Sequence, residues 1–157
     1  MNRDEILKQI QERFKEDVID IFEKSDSRVY IGIKPESITR IARYTFEELG
    51  ARFNIASARD ARGFMEILYH FTLEEINVVI SYRVKLDKSN LEIDSIAPLF
   101  KGANWIEREI KEILGINFKG HPNLKRLLLP DEWPEGVYPM RRDYKEWDKD
   151  AIRDRGV

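Results

Sequence analysis

The stretch Ile76–Leu86, INVVISYRVKL, indicates the fold more directly than any other part of the chain. Apolar side chains recur there at every second position, which is the period of a β-strand that buries one face; they are Val78, Ile80, Tyr82, Val84 and Leu86. Further strands are predicted on both sides of it, over Arg52–Ala58, Phe64–Phe71 and, after a turn at Asp87–Asn90, Leu91–Ile96. Because the connections between these strands are short, antiparallel hairpins are favoured.

Three helices and one earlier strand complete the predicted elements. Apolar residues at helical spacing predict a first helix over Arg3–Phe22, and alternation predicts a strand over Arg28–Ile33. A second helix begins at Pro35 and ends at Gly50, and a third spans Asn104–Leu114. The charged residues of the third helix are expected on its solvent faces, with Arg108 and Glu112 at i,i+4 spacing; they are Glu107, Arg108, Glu109 and Glu112.

This order of elements predicts an α+β fold. A mostly antiparallel sheet of four to five strands carries helices on one face and is followed by an extended C-terminal arm. The predicted boundaries are residues 1–114 for the α+β domain and 115–157 for the arm.

Composition excludes several classes of function. The chain has 157 residues and no cysteine, so it cannot itself hold a thiolate-bound metal or an iron–sulfur cluster. Its 27 basic and 29 acidic residues nearly cancel, which argues against a protein built to neutralise phosphates. No window is apolar enough for a membrane helix, and the charged N-terminus is unlike a signal peptide. The charged fraction of 36% leans toward a thermophilic, intracellular source.

No self-sufficient active site is predicted. The two histidines, His70 and His121, lie far apart in sequence, and no nucleotide-binding or nucleophile-elbow motif is present. Lys125-Arg126 and Arg141-Arg142 alternate with aromatic residues, as in some nucleic-acid grooves, but many acidic residues lie among them. Nucleic-acid binding is therefore disfavoured.

The stretch Trp105–Tyr144 is unusual because apolar residues persist in it between repeated helix and strand breakers. Such a segment cannot form long regular elements, so its apolar side chains are expected to be buried against another protein. The breakers are Gly115, Gly120, Pro122, Pro130, Pro134, Gly136 and Pro139.

The same stretch resembles the signature of the 30-kDa subunit of respiratory complex I, a family that also occurs in membrane-bound energy-converting hydrogenases. The resemblance covers about a quarter of the chain, and its many fixed spacings make it specific. It rests on Glu107-Arg108-Glu109, Gly115-Ile116, Phe118, Gly120-His121-Pro122, Leu124, Arg126, Leu128, Pro130, Asp131, Trp133, Pro139, Arg141, Asp143 and Tyr144.

The resemblance implies a non-catalytic subunit of the peripheral arm of a membrane-bound, ion-translocating redox complex, on the cytoplasmic face. The implied partners are a hydrogenase-like large catalytic subunit and an iron–sulfur small subunit, with the membrane arm contacted only indirectly. This chain would bind no cofactor, while partner subunits would hold iron–sulfur clusters and, in a hydrogenase, a nickel–iron centre. The residues expected to bind the partner are Phe118, Leu124, Arg126, Leu128, Trp133, Arg141, Arg142 and Tyr144.

Arg126, Arg141 and Arg142 are expected to make charge-assisted contacts to carboxylates of the partner or of this chain. The remaining motif residues are expected to shape the arm. They are Glu107, Arg108, Glu109, Gly115, Gly120, His121, Pro122, Pro130 and Asp143.

The branch of the family stays open between two complexes. The chain lacks a long extension after Asp143-Tyr144, and its composition suits a thermophile, which together favour a membrane-bound hydrogenase or ferredoxin-linked complex. The alternative is the equivalent subunit of a quinone-reducing complex I. An independent soluble binding domain is the least favoured hypothesis.

Overall fold

A computed structural model describes residues 1–148. The helices are α1 (Arg3–Arg13), α2 (Ile38–Glu47) and α3 (Ala103–Leu114). The strands are β1 (Val18–Ser25), β2 (Arg28–Ile33), β3 (Arg52–Asp60), β4 (Met65–Leu73), β5 (Val78–Leu86), β6 (Glu92–Asp94) and β7 (Asn117–Lys119).

The main sheet has five strands in the order β1-β2-β5-β4-β3. Only β2 and β5 pair in parallel, and the other neighbours are antiparallel. The predicted α+β class with a mostly antiparallel sheet is therefore confirmed. The alternating residues of β5 form the buried face as expected, and Tyr82 lies in register between Ile31 and Tyr69. All three of these side chains are fully buried.

The helices pack against this one face of the sheet and form a single core with it. Asn2 caps α1, since its side chain accepts from the Glu5 amide at 3.0 Å. A buried hydrogen bond of 2.6 Å joins Thr45 of α2 to the hydroxyl of Tyr82. The core thus fixes the position of the sheet and, through α3, of everything that follows it.

The first predicted helix was too long. It ends at Arg13, and residues predicted as its last turns form β1 instead. The run Val18–Phe22 is rich in β-branched and aromatic residues, which fit a pleated sheet better than a helix. In addition, β2 would otherwise leave one edge unpaired, and β1 pairs with that edge.

The prediction that Leu91–Ile96 joins the sheet beside β5 was also wrong. The turn at Asp87–Asn90 is present, since the Ser89 amide donates to Asp87 Oδ1 at 2.8 Å. However, both edges of β5 are already occupied by β2 and β4. The shorter strand β6 therefore pairs in parallel with β7, in a separate two-stranded sheet.

The packed core continues past the predicted domain boundary at residue 114. Ile116 is fully buried and Phe118 is 2% exposed. The segment that lacks helices and strands begins only after β7, and it is described through residue 148.

Candidate functional site

The candidate site is the C-terminal arm, defined from here on as residues 120–148, together with the outer side of α3. The arm has no helix or strand of its own within the described chain. It turns back along α3 and contacts it through backbone and side-chain hydrogen bonds. These contacts decide which arm residues are available to another protein.

Glu112 forms the most extensive of these contacts. Its carboxylate accepts the backbone amides of Leu127, Leu128 and Leu129 at 3.0, 2.8 and 2.9 Å. Three successive amides that converge on one anion make charge-assisted hydrogen bonds, which are stronger than neutral ones. The Glu112 side chain is thereby drawn under the arm, and the residue is only 7% exposed.

Arg108 holds the segment just before these amides. Its Nε donates to the carbonyl of Lys125 at 2.8 Å, and its Nη2 donates to that of Arg126 at 2.7 Å. The sequence suggested that Arg108 and Glu112 lie side by side on a solvated helix face. Instead, both side chains bind backbone groups of the arm, and they form no ion pair with each other among the described residues.

Glu107 is the second charged residue of α3 that the sequence wrongly placed at the surface. It is fully buried, and it accepts from the Ile96 amide at 2.8 Å and from the Ser95 hydroxyl. Burial raises the pKa of Glu107 to about 7, against the lowering effect of these hydrogen bonds. The signal was in the sequence, because Ala103, Glu107, Ile110 and Leu114 follow the helical period of the buried stripe.

His121 lies beside Glu107 where the arm begins. Its Nδ1 accepts from the Asn123 amide at 2.9 Å, and its Nε2 lies 2.9 Å from the Asn104 carbonyl. Because an amide only donates and a carbonyl only accepts, these contacts place a proton on Nε2. Glu107 Oε2 is 4.0 Å from the same nitrogen, and both side chains are fully buried. The Gly-His-Pro turn is thus tied to the start of α3.

The far end of α3 is capped by Arg141 of the arm. Arg141 Nε donates to the carbonyl of Leu114 at 2.7 Å, and its guanidinium lies 4.2 Å from the ring centroid of Tyr138. Gly115, at φ 79°, makes room for this contact. A Cβ at residue 115 would lie 2.6 Å from the Tyr138 ring and would also collide with Arg141.

A last contact joins the arm to the end of β3. The amide of Arg142 donates to Asp60 Oδ2, and Arg142 Nε donates to the Asp60 carbonyl, both at 2.9 Å. Arg126 likewise donates to the Pro130 carbonyl at 2.9 Å. Within the described chain, the guanidinium groups of the arm thus donate to carbonyl oxygens. Their expected contacts with carboxylates of a partner stay a prediction.

The aromatic residues of the arm pack on one another. Trp133 stacks on Tyr144 with ring centroids 6.2 Å apart and meets Trp147 edge-on at 5.5 Å. Its indole nitrogen donates to the Val137 carbonyl at 2.8 Å. The half-buried Trp133 and Tyr144 thus shape the arm internally, whatever else they contact.

The other predicted partner-binding residues differ in exposure. Phe118 is a correction, since it is buried in the chain's own core, where β7 pairs with β6. Leu124 packs against that core, whereas Leu128 is 62% exposed. Trp105 and Met140, which the sequence reasoning did not select, are 69% and 63% exposed. Trp105 could have been found, because it lies off the buried stripe of α3.

The remaining motif residues lie at the surface or at turns. Glu109 is half-exposed, and its side chain forms no hydrogen bond or ion pair with any described residue. Gly120 has φ 76°, so the turn before His121 requires a conformation that favours glycine. Pro122, Pro130 and Asp143 are exposed.

The histidines do not form a metal site with other residues that the structure describes. Between residues 1 and 148, no group of three or more potential ligands comes together. His70 lies on the sheet face opposite the helices, between the hydroxyls of Ser57 at 3.1 Å and Ser81 at 2.8 Å.

Among residues 1–148, no helix has both the length and the apolar composition that crossing a membrane requires.

Comparison with known proteins gives consistent matches. The sequence profile of the family described as respiratory-chain NADH dehydrogenase, 30 Kd subunit, matches residues 31–149. An NADH-quinone oxidoreductase subunit of Roseiflexus sp. (strain RS-1) is 34% identical over 128 residues, which cover 76% of this chain and 70% of the relative. Formate hydrogenlyase subunit 5 of Escherichia coli (strain K12) is 26% identical over 145 residues, which cover 90% of this chain and 26% of the relative.

The fold also matches a solved structure. A chain from the membrane-bound sulfane sulfur reductase, an archaeal respiratory membrane complex, superimposes with a TM-score of 0.76 at 20% identity, covering 92% of this chain and 86% of that chain.

Two further curated relatives are 45% and 41% identical over about half of this chain, but the matched part spans only 13% and 51% of their own length.

Proposed function

Because this chain belongs to the family of the 30-kDa subunit of respiratory-chain NADH dehydrogenase, we propose that it is a non-catalytic subunit of a membrane-bound, ion-translocating redox complex. In this role it docks on the hydrogenase-like large subunit, beside the iron–sulfur small subunit, and supports assembly. It lies at the cytoplasmic face of the membrane and is held there through its partners. Electrons pass through clusters in those partners, since this chain has no cysteine to hold one.

One observation carries the proposal. The arm is held against α3 by Glu112, Arg108 and Arg141, and large apolar side chains of α3 and the arm still remain exposed. A segment that is already ordered loses less conformational entropy on docking, so its exposed side chains contribute more of their burial energy to binding. The exposed residues are Trp105, Leu128, Met140 and Trp147.

The proposed complex is a membrane-bound hydrogenase or a ferredoxin-linked relative. The similarity to formate hydrogenlyase subunit 5 over 90% of the chain supports this branch. The alternative is a quinone-reducing complex of the NADH dehydrogenase type, which the similarity to the Roseiflexus NADH-quinone oxidoreductase supports. The two differ in the large subunit, which carries nickel-ligating cysteines in a hydrogenase.

The test is capture of the complex from native membranes. The affinity-tagged chain is expressed in its host, the membranes are solubilised, and the co-purifying subunits are identified by mass spectrometry. We expect a large subunit and a cluster-bearing small subunit, and the sequence of the large subunit distinguishes the two branches. Recovery of the chain alone, as a stable monomer with a protease-resistant arm, would sink the proposal.

A matched pair of variants locates the surface. Leu128 and Ile19 are both aliphatic and are 62% and 65% exposed, but Leu128 lies in the arm and Ile19 in the edge strand β1. Leu128→Asp should reduce capture of the large subunit, whereas Ile19→Asp should leave it unchanged. Equal effects of the two substitutions would contradict docking through the arm.

A further inference from the structure

A cavity of about 350 Å³ lies between the outer side of α3 and two segments of the arm. Basic side chains line it from both sides: Arg108 and Lys111 from α3, and Lys125 and Arg126 from the arm. Trp133 and Tyr138 supply aromatic surface to the same cavity. The cavity therefore combines positive charge with an apolar wall.

The positive charge is not balanced within the described chain. Arg108 and Arg126 donate to carbonyls, and none of the four basic side chains forms an ion pair with a carboxylate of residues 1–148. Several arginines elsewhere on the domain do have carboxylate partners, as in Arg13–Glu48, Arg40–Asp17, Arg52–Glu74, Arg59–Glu66 and Arg83–Asp20.

Two acidic residues also line the cavity, but they do not neutralise it. The carboxylate of Glu112 already accepts three backbone amides, and Glu135 is exposed. Glu112 keeps its negative charge while it accepts these amides, so four cations face two carboxylates and a surplus of two positive charges remains at the cavity. Lys125 is exposed, whereas Arg108, Lys111 and Arg126 are half-buried, and a partly desolvated cation attracts an anion more strongly than a fully solvated one does.

We propose that this cavity receives an acidic side chain of the partner subunit, an aspartate or glutamate on a segment whose apolar flank packs against Trp133 and Tyr138. The inference rests on the proposed docking function and adds the chemistry of the contact. The carboxylate approaches Lys111 and Lys125, whose ammonium groups have no partner among the described residues. Arg108 and Arg126 keep their carbonyl contacts and contribute charge to the cavity wall.

The first experiment compares two double charge reversals in the captured complex. Lys111→Glu with Lys125→Glu changes the cavity, and Lys15→Glu with Lys24→Glu makes the same change of charge next to and within β1, outside it. We expect the cavity variant to lose capture of the large subunit by roughly tenfold or more, since like charges juxtaposed at an interface are strongly unfavourable. The control variant should capture as much of the large subunit as the unmodified chain does. Both purified variants should have the same thermal unfolding temperature as the unmodified chain.

The second experiment identifies the ligand directly. A carbodiimide joins a lysine amine to a carboxylate with which it is in contact, so treatment of the captured complex should link Lys111 or Lys125 to an aspartate or glutamate of a partner subunit. Mass spectrometry of the digest locates the link. Links only to Glu135 of this chain, no link at all, or undiminished capture by the cavity variant overturns the inference.

The outcomes separate this inference from the proposed function. If the unmodified chain captures no large subunit, the proposed function fails and the inference fails with it. If the unmodified chain captures the complex but the cavity variant does so equally well, only the inference fails.

Discussion

Replacing Glu112 with alanine should release the arm from α3 while the α+β domain stays folded. The substitution removes three hydrogen bonds from a carboxylate to the amides of Leu127–Leu129, at 2.8–3.0 Å. A hydrogen bond to a charged group contributes about 1.5–3 kcal/mol, but these hydrogen bonds are only partly buried, and their amides can be solvated once the arm lifts. A net loss of about 3 kcal/mol is expected, which raises the opening equilibrium of this segment by roughly two orders of magnitude.

Amide hydrogen exchange measures this opening residue by residue. Protection at Leu127–Leu129 should fall roughly 100-fold, whereas protection within β5 should not change. Glu109→Ala is the matched control, because Glu109 lies on the same helix and its side chain makes no hydrogen bond or ion pair with any described residue. Protection at Leu127–Leu129 that stays within about threefold of the unmodified protein would refute the reasoning. A parallel loss of protection in β5 would show instead that arm and domain unfold as one unit.

Four further substitutions test the core, the arm, the helix end and the buried carboxyl. Val84→Ala removes part of a fully buried side chain and should lower the free energy of unfolding in urea by about 2 kcal/mol. Trp133→Ala should loosen the arm and weaken complex assembly but have little effect on that free energy. Equal losses of unfolding free energy in the two variants would place the arm in the core. Gly115→Ala places a residue with a side chain at a backbone φ of 79°, so it should lower the melting temperature and speed proteolysis of the arm. Unchanged proteolysis would contradict this expectation. The pKa of Glu107 is about 7 in the folded chain and 4.5 ordinarily, so the unfolded chain loses this proton first, and the stability that this group contributes is lost as pH rises between these values. In unfolding measured at pH 5 and pH 8, Glu107→Gln should flatten that loss of stability. A pH profile unaltered by the substitution would count against this role of Glu107.

The sequence predicted well wherever a periodic pattern reports a single buried face. The alternation of β5 and the end of α3 at Leu114, just before the helix breaker Gly115, lie where they were expected. It failed where two periods compete, as in residues 18–22, which carry apolar residues that suit either a helix or a strand. It also failed for β6, because strand pairing depends on which edges of the sheet are already occupied.

The charged residues of α3 show the same limit within the candidate site. Their motif identified the family, but a charged residue at a given helical position is by default solvated, and the pattern cannot indicate that three backbone amides will converge on Glu112. That arrangement depends on where the arm turns, which depends on Gly120 and His121 and on contacts far along the chain. Glu107 was the exception, since its place on the buried stripe of α3 was visible in the sequence.

The sequence by itself determined the fold class, the missing capacity for thiolate ligands and the family, since these follow from local periodicity, composition and fixed spacings. Only the tertiary structure decided which charges are buried, which apolar residues of the described chain stay exposed, and where cations without a carboxylate partner in residues 1–148 gather around a cavity. The physical reason is that burial and pairing are properties of surfaces brought together by folding. Glu112 and Leu127–Leu129 are 15 to 17 residues apart in sequence, and their contact exists only once α3 and the arm lie side by side.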